Sequence, residues 1–468
     1  MINFRANTTS VQNNHPETTI TFLGATHTVT GSKYLITKNN TKILIDCGLF
    51  QGLKELRLRN WAPLPFAPAE INAVILTHAH IDHCGYLPIL VRDGFRGKIY
   101  CSYATKDLCE IILPDSGHLH EEEAKYANKK GSSKHHPALP LYTKEDAQVT
   151  LKYFAPADYE KIISLPDNLS FKLIASEHIL GSSFVNFFFD NKNILFSGDL
   201  GKSNSPLMLD PPQIEKATYV VVESTYGDRL HENINIEEKL ASIINQTIKQ
   251  NGTILIPAFA VGRTQIMLYY IYKLCKTNKI PKIPVYIDSP MATHVSSLYE
   301  KYYKEEAITK EDCSLICACA NFVSSVEESK KLSHNQNAKI IISASGMATG
   351  GRILHHLKAF LPDKNSVVLL VGYQAIGTRG ARLINGEKEI KIFGDMIPVK
   401  AKIEILHGMS AHADYQDILN WLKGFKYKPQ KTFITHGEPN ASKSLQEKIE
   451  KNLQWNCVVP NYLQSFSL

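Results

Sequence analysis

The hexapeptide His-Ala-His-Ile-Asp-His at positions 78–83 holds the residues of this sequence that are best suited to chemistry. It follows an apolar run at 73–77 that is typical of a β-strand, and it precedes an apolar stretch that is typical of a helix. Three imidazoles and one carboxylate on such a turn can face one point, and a tetrahedral zinc ion needs only three or four ligands of these types. Four ligand-type side chains of two kinds in one hexapeptide indicate two adjacent metal ions.

Further residues of ligand type stand at the ends of other predicted strands. The carboxyl ends of strands commonly build the functional site of an α/β fold, so we expect these residues to join the hexapeptide. Two metal ions that share a carboxylate form a hydrolytic site. The four residues are Asp46, His178, Asp199 and His436.

In chain order, Asp46, the hexapeptide, His178 and Asp199 resemble the four signature motifs of the metallo-β-lactamase superfamily. Three later motifs narrow the resemblance to the β-CASP nucleases of that superfamily. The resemblance covers the chain from about residue 19 to its end. Motif A is resembled by Glu223 in Glu-Ser-Thr-Tyr-Gly, motif B by His412 in Met-Ser-Ala-His-Ala-Asp, and motif C by His436 in Thr-His-Gly-Glu.

The resemblance implies two Zn²⁺ ions per chain, with manganese left open as the working metal. A water molecule shared by two zinc ions loses its proton near neutral pH, and the resulting bridging hydroxide is expected to attack phosphorus. The expected ligands are His78, His80 and His178 for one zinc, Asp82, His83 and His436 for the second, and Asp199 as the bridge. Asp82 is expected to count among the catalytic groups as well.

The resemblance also implies roles for residues around the metals. Asp46 is similar to the carboxylate that orients ligands and bridging water, which is the role that physical reasoning gives it too. Glu223 is expected to hydrogen-bond near the ligating histidines without binding metal. His412 is similar to the histidine that contacts the scissile phosphate and protonates the leaving oxygen. The family commonly has glycine directly before His178, whereas this sequence has Glu177, whose side chain we expect to point to solvent.

Two segments and one motif are expected to contact the substrate. The turn at 345–352 opens a predicted helix and can cradle a phosphate with backbone N–H groups, with a purely structural turn as the alternative. An aromatic side chain in the segment 372–379 can stack on a base, with packing in the core as the alternative. The expected contacts are Ser345, Gly346 and Arg352 of the turn, Tyr373 and Arg379 of the segment, and Ser410 and His412 of motif B.

Short β-branched runs alternate with helical stretches along most of the chain, which predicts an α/β protein with a mostly parallel sheet in its second section. The resemblance implies an αββα metallo-β-lactamase fold with a doubly wound β-CASP domain inserted in it. The expected bounds are 17–210 and 395–468 for the metallo-β-lactamase domain and 211–394 for the inserted domain. We expect the active site in the groove between them, which would admit a single strand but not a duplex.

The composition, 44% apolar and 21% charged residues among 468, is that of a globular protein and excludes a chain that is disordered throughout. No apolar run approaches the ~20 residues of a membrane span, and the polar amino terminus lacks a signal core, so we expect a cytoplasmic protein. Nine scattered cysteines fit reduced thiols better than a disulfide framework. The net charge of +7 permits a polyanionic partner without requiring one.

These features predict a zinc-dependent ribonuclease that hydrolyses single-stranded RNA and leaves 5′-phosphate and 3′-hydroxyl ends. A DNA nuclease or a small-ester hydrolase of the same superfamily is one alternative, and a non-catalytic RNA-binding subunit is another. His436 favours RNA, because related DNA-processing enzymes generally lack histidine at motif C, and the complete ligand set opposes a non-catalytic role. Endonuclease or 5′-exonuclease action, the RNA preference and a homodimer are left open.

Overall fold

Strand pairing sorts the apolar runs of the sequence into three large sheets and one hairpin in the part of the chain that the structure describes. This structure is a computed structural model, and it describes residues 17–131, 133, 135–232, 234–372, 374–375, 377–406 and 408–468. The strands are β1 (Thr19–Phe22), β2 (Tyr34–Lys38), β3 (Thr41–Ile45), β4 (Ala73–Ile75), β5 (Lys98–Cys101), β6 (Phe154–Pro156), β7 (Ile163–Ser164), β8 (Ser170–Ala175), β9 (Ser183–Phe189), β10 (Lys192–Phe196), β11 (Tyr219–Glu223), β12 (Thr253–Pro257), β13 (Val285–Ile287), β14 (Asn321–Phe322), β15 (Lys339–Ser343), β16 (Val367–Leu370), β17 (Glu389–Ile392), β18 (Asp395–Pro398), β19 (Lys402–Ile405), β20 (Lys431–Thr435), β21 (Cys457–Val458) and β22 (Ser465–Ser467). The helices are α1 (Lys54–Arg59), α2 (Ile81–Cys84), α3 (Leu87–Arg92), α4 (Tyr103–Lys130), α5 (Lys144–Thr150), α6 (Ile236–Lys249), α7 (Arg263–Lys276), α8 (Pro290–Lys301), α9 (Lys310–Ala318), α10 (Val326–His334), α11 (Ile353–Phe360), α12 (Arg379–Ile384), α13 (Tyr415–Leu422) and α14 (Pro439–Leu453).

Two of the sheets pack face to face. Their strand orders are β22-β1-β2-β3-β4-β5-β6 and β21-β20-β11-β10-β9-β8-β7. Phe22 of the first sheet and Phe433 of the second have ring centroids 5.1 Å apart. In β9, Val185 belongs to the core between the sheets, whereas Phe184 belongs to the core on the outer side, because successive side chains of a strand point to opposite faces. Both faces of this strand are therefore buried.

Helices cover the outer faces of this sandwich and complete the expected αββα arrangement. Residues of α3, α4 and α5 share a core with the outward side chains of the first sheet. On the second sheet, Trp421 of α13 packs on Phe184 with ring centroids 5.0 Å apart. In the part of the chain that the structure describes, no helix combines the length and the apolar content that a bilayer span requires.

The third large sheet has the order β14-β13-β15-β12-β16-β19, and all neighbouring strands in it pair in parallel. Every residue of β12 and β15 is buried, as is typical of strands that helices cover on both faces. Helices α6 to α11 alternate with these strands along the chain. This sheet is the expected doubly wound insertion.

Sheet membership refines the domain bounds, which stay a proposal. β11 lies beyond the expected bound at 210 but pairs in parallel with β10 and β20 of the sandwich. β19 lies beyond the expected bound at 394 but pairs in parallel with β16 of the inserted sheet. An apolar run in the sequence does not reveal which distant strand it will pair with. We therefore propose that the chain passes between the two domains at about residues 230 and 406.

Candidate metal centre

The loop between β1 and β2 and the loop after β3 hold the hexapeptide in place through backbone contacts. Ser32 N–H donates to the carbonyl of Asp82 at 2.8 Å, and Cys47 N–H donates to the carbonyl of His83 at 2.7 Å. Gly48 permits this approach, because a Cβ there would lie 1.6 Å from the carbonyl oxygen of Asp82. At this point of the site, the backbones of two loops lie too close together for a side chain to fit between them.

Two site residues have left-handed backbones. Asp46 has φ of 56° and His436 has φ of 50°, in a region that residues other than glycine seldom occupy. Such strained conformations persist where the surrounding structure determines them, and they cluster at functional sites. Asp46 directly follows β3, the central strand of its sheet, and His436 directly follows β20, the second strand from the edge of its sheet.

The first group of ligand-type residues comprises three histidines and one aspartate, from three separate parts of the sequence. His78 Nε2 lies 3.0 Å from His80 Nδ1, which lies 3.4 Å from His178 Nε2. Asp199 Oδ2 lies 3.4 Å from Nε2 of both His78 and His178. With Zn–N bonds of about 2.0–2.1 Å, two ligands of a tetrahedral zinc lie roughly 3.4 Å apart, so the four atoms fit one such ion.

The second group comprises Asp82, His83 and His436. His436 Nε2 lies 3.2 Å from His83 Nε2 and 3.3 Å from Asp82 Oδ2. Asp199 connects the two groups, because its Oδ2 faces the first group while its Oδ1 lies 3.3 Å from His83 Nε2. One carboxylate therefore faces both candidate ion positions, one oxygen to each.

The electrostatics and the polar contacts of the first group fit metal ligands. Burial lowers the pKa of His80 to about 3, and burial and the neighbouring histidines lower the pKa of His78 and His178 as well. These imidazoles are therefore neutral, which is the form that binds a metal. Asp199 Oδ1 is buried and has no hydrogen-bond partner among the described residues. A buried carboxylate oxygen without a donor fits a site for a cation.

Asp46 supports the second group from behind. His83 Nδ1 donates to Asp46 Oδ2 at 2.7 Å, so the Nε2 edge of the imidazole faces Asp199 and His436. Thr77 N–H donates to Asp46 Oδ1 at 2.8 Å and holds the carboxylate in turn. A carboxylate on the far nitrogen of a ligating histidine fixes its tautomer and orientation.

Glu223 and His412 form a pair at the rim of the two groups. His412 Nδ1 lies 3.1 Å from both oxygens of Glu223, whose Oε1 also accepts from Leu200 N–H at 2.6 Å. Burial alone would lower the pKa of His412, but Glu223 and Asp199 outweigh it and raise the pKa to about 9. Because Glu223 occupies Nδ1, the nitrogen left for a substrate is Nε2. The contact that we expected between Glu223 and a histidine is thus made with motif B.

The backbone of motif B is held by the loop that carries Asp199. Ala413 N–H donates to the carbonyl of Leu200 at 2.9 Å, and Gly201 and His412 form a β-bridge. Ser410, expected to contact substrate, accepts from His412 N–H at 3.2 Å. The hydroxyl of Ser410 therefore shapes the loop that presents His412.

The other residues that we expected to contact the substrate have different surroundings in the structure. A Cβ on Gly346 would lie 2.8 Å from the Phe259 ring, whose centroid is 6.4 Å from that of His80, so the turn adjoins the metal centre. Ser345 Oγ accepts from the N–H groups of Thr349 and Gly350 and closes the turn itself, as the structural alternative predicts. Tyr373 lies outside the described residues.

The two arginines expected at the substrate are engaged within the inserted domain. Arg352 Nη1 donates to the buried carboxylate of Asp288 at 2.7 Å, and its guanidinium also reaches the carbonyls of Val323 and Ser324. Arg379 donates to three carbonyl oxygens, those of Lys391, Ala348 and Thr349. In the described residues, no contact places either guanidinium next to the metal ligands.

Sequence reasoning missed two threonines and misplaced one glutamate. Thr225 Oγ1 lies 3.2 Å from His436 Nδ1 and orients that imidazole, as Thr77 does for Asp46. Their positions two residues after the ends of the strands β11 and β4 were the available signal. The expectation that Glu177 points to solvent was wrong: the residue is 8% exposed, and burial raises the pKa of its carboxyl to about 7.

Comparisons with known proteins agree with this geometry. Three family models match the chain: the metallo-beta-lactamase superfamily at 29–110, the Beta-Casp domain at 264–383, and the Zn-dependent metallo-hydrolase RNA specificity domain at 396–460. Ribonuclease TTHA0252 of Thermus thermophilus is 36% identical over 422 residues, which cover 89% of this chain and 92% of that protein. The RNase J-like protein of Methanocaldococcus jannaschii is 31% identical and covers 90% of this chain and 92% of that protein.

Two further matches cover more than nine-tenths of this chain. The transcription termination factor FttA of Methanosarcina mazei is 30% identical over 93% of this chain and 69% of that protein. A crystal structure of a protein of unknown function from Enterococcus faecalis aligns with a TM-score of 0.53 and 14% identity, covering 97% of this chain and all of that one. At that identity the likeness concerns the fold alone.

Proposed function

The chain belongs to the β-CASP family of the metallo-β-lactamase superfamily, whose members are metal-dependent hydrolases, and from this premise we propose that it is a zinc-dependent ribonuclease acting on single-stranded RNA. The names of its relatives support RNA as the substrate class. One is called a ribonuclease, another an RNase J-like protein, and the model that matches 396–460 is described as an RNA specificity domain.

The observation that carries the proposal is the convergence of seven ligand-type side chains in two groups that share Asp199. The proposed ligands are those that the sequence predicts: His78, His80 and His178 for one ion, Asp82, His83 and His436 for the other, and Asp199 for both. The chemistry that two zinc ions supply when bound is activation of a water molecule and neutralisation of phosphate charge.

The residues of the chain itself supply positioning and a proton. The Glu223 carboxylate keeps His412 protonated through Nδ1, and a protonated imidazole can donate from Nε2 to the oxygen that leaves phosphorus. Donation to the 3′ oxygen yields a 3′-hydroxyl end and leaves the phosphate on the 5′ end. Asp46 keeps His83 aligned while charge develops at phosphorus. The proposed catalytic groups are thus Asp82, His412, Asp46 and Glu223.

The inserted domain borders the metal centre and supports a polymeric substrate. Phe259, which follows β12 of the inserted sheet, lies with its ring 6.4 Å from that of His80. A substrate that reaches the ligands therefore passes between the two domains. A cleft of this kind accepts an extended strand, and the net charge of +7 is compatible with a polyanion.

The test is cleavage of synthetic RNA labelled at either end by the zinc-loaded protein, with single-stranded DNA of the same sequence and a chelator-treated sample as controls. We expect RNA to be cleaved, DNA to be cleaved far more slowly, and the chelator to abolish both. Mononucleotides from the 5′ end identify a 5′-exonuclease, and internal fragments identify an endonuclease. Preferred cleavage of DNA, or hydrolysis of small esters alone, would contradict the proposal. The homodimer and the cytoplasmic location stay predictions.

A further inference from the structure

Arg263, the first residue of α7, is a buried cation that lacks an anionic partner in the described structure. The residue is 8% exposed, and Nε and Nη1 of its guanidinium have no hydrogen-bond partner among the described residues. Burial lowers the pKa of Arg263 to about 10, so the guanidinium stays charged at neutral pH. A buried charge is costly unless another charge pairs with it. The geometry therefore calls for an anion that the described residues do not supply.

The guanidinium lies beside the metal centre. A Cβ on Gly372 would lie 3.7 Å from Arg263 Nε and 4.0 Å from the ring of Phe259. The centroid of the Phe259 ring is in turn 6.4 Å from that of His80, one of the proposed ligands. Gly372 thus adjoins both the guanidinium of Arg263 and the ring of Phe259, and this ring in turn adjoins the first ligand group.

A second cation, Lys202, adjoins Arg263. Lys202 Nζ donates to the carbonyl oxygen of Gly408 at 2.6 Å. Burial and the charge of Arg263 lower the pKa of Lys202, and they outweigh the opposite effect of Asp417 and Asp414. Two cations that repel each other in a partly buried cleft are stabilised when an anion binds next to them.

We propose that Arg263 binds a phosphodiester that flanks the scissile one in the RNA substrate, with Lys202 as an auxiliary charge. The fork of a guanidinium matches two phosphate oxygens, whereas an ammonium acts as a single charge. Tyr226, which is close enough to Arg263 to influence the pKa of the guanidinium, has its ring centroid 6.3 Å from that of His412. A phosphate held by Arg263 thus lies close to the group that is proposed to protonate the leaving oxygen. This inference rests on the proposed function and adds a substrate-binding residue to it.

The first experiment compares Arg263→Met with the wild type on single-stranded RNA over a range of salt concentrations. We expect kcat/KM to fall about ten- to a hundredfold at low salt, because a bidentate charged contact is lost. The slope of log kcat/KM against log salt should become shallower by about 0.7, the value for one phosphate contact with a single strand. Metal content should not change. Arg382→Met is the matched control, since Arg382 pairs with Glu387 at the surface at 2.6 Å, and it should leave all three quantities unchanged.

Two further measurements guard against a merely structural effect. Arg263→Met should unfold at no lower temperature than the wild type, because it removes an unpaired buried charge. Arg263→Lys keeps the charge and should recover the salt slope without recovering the full rate, because Lys lacks the fork. A large loss of thermal stability in both variants would overturn the assignment in favour of a packing role.

The sharpest measurement removes the charge from the substrate instead. A neutral methylphosphonate at the contacted position should cost the wild type the same factor as Arg263→Met, and should cost Arg263→Met nothing more. If the losses from Arg263→Met and from the methylphosphonate multiply at every position, the inference is overturned. It is also overturned if Arg263→Met has the kcat/KM and the salt slope of the wild type. Either result leaves the ribonuclease proposal standing. If the metal-loaded wild type cleaves no RNA, the proposed function fails and this inference fails with it.

Discussion

At the scale of single residues, the partner on one ring nitrogen decides what the other nitrogen of a histidine can do. Asp46 accepts a hydrogen bond from Nδ1 of His83, so the Nε2 atom of that ring faces the two ligand groups. Glu223 accepts a hydrogen bond from Nδ1 of His412 and keeps that ring positively charged, which suits a proton donor rather than a metal ligand. Two imidazoles a few ångströms from the same Asp199 therefore receive different roles.

This difference predicts distinct metal contents for two alanine variants. His436→Ala removes a proposed ligand of the second ion and should lower bound zinc from two toward one per chain. His412→Ala should keep both ions and slow cleavage by about 10²–10⁴-fold, the usual contribution of a general acid. Elemental analysis and single-turnover rates measure the two effects. Equal zinc in His436→Ala and the wild type would remove His436 from the ligand set.

A second residue-scale prediction concerns Arg352, whose partner Asp288 is fully buried. Arg352→Met leaves Asp288 with the hydrogen bonds from His356 and Ser329 but without its cation. We expect the free energy of unfolding to fall by about 3 kcal/mol, the lower end of the range for a buried pair that loses one member, because the side chain of Arg352 is itself 22% exposed. Denaturant unfolding of the metal-loaded protein measures this value. Unchanged stability together with weaker RNA binding would restore the substrate role that the sequence indicated.

At the scale of elements, the metal centre depends on loops that only fit together without side chains. The loop after β3 passes over α2 at Gly48, where a Cβ would also lie 2.6 Å from the backbone nitrogen of His83. The hexapeptide cannot keep its place if this loop moves outward. The backbone of an adjacent loop is thus as important for the ligands as their own side chains.

Gly48→Ala should therefore impair metal binding although no ligand changes. We expect a loss of at least about tenfold in metal affinity and activity, comparable to loss of a residue that orients a ligand. Gly386→Ala is the control, because nothing lies within 4 Å of a Cβ there, although its φ of 76° makes alanine mildly strained. Metal titration and RNA cleavage should show the defect in Gly48→Ala alone. A wild-type affinity in that variant would show that the loops can separate at no cost.

A buried glutamate gives an element-scale prediction of pH dependence. Glu306 is 7% exposed, and neither of its carboxylate oxygens has a hydrogen-bond partner among the residues that the structure describes. Burial, Glu177 and Glu305 raise the pKa of this carboxyl well above 4.5. The folded state then keeps a proton that the unfolded state releases above about 4.5, so this stabilisation is lost as pH rises through the folded pKa. Glu306→Gln should consequently raise the unfolding temperature at pH 8 and change it little at pH 5.

Thermal unfolding of variant and wild type at both pH values, each with the same metal loading, measures that difference. Glu311→Gln, an exposed change on α9, is the control and should have no effect at either pH. A difference in unfolding temperature that is larger at pH 5 than at pH 8 would contradict a raised pKa of the Glu306 carboxyl.

At the scale of the whole molecule, the centre joins residues from 46 to 436 in one cluster, and the inserted domain lies between two of its ligands in the sequence. Asp199 and His436 are 237 positions apart, yet His436 Nδ1 lies 3.5 Å from Asp199 Oδ1. A metal bound to both ends of this interval holds the second and first parts of the sandwich together. Metal binding is therefore expected to stabilise the fold as well as to enable hydrolysis.

Removal of the metal tests this coupling. Chelation should abolish RNA cleavage and lower the unfolding temperature, since an ion at a hundred times its Kd contributes about 2.7 kcal/mol to the folded state. Stepwise return of Zn²⁺ should restore both properties, and parallel samples with Mn²⁺ identify the working metal. Full activity after exhaustive removal of divalent ions would contradict the metal centre.

The sequence determined the kinds of side chain, their order and the local elements that carry them. The hexapeptide could be interpreted because six consecutive residues after a strand are close in any fold. Only the tertiary structure decided the partners, because a partner comes from a distant part of the chain. It assigned β11 and β19 to their sheets, buried Glu177, engaged Arg352 with Asp288 and left Arg263 without an anion.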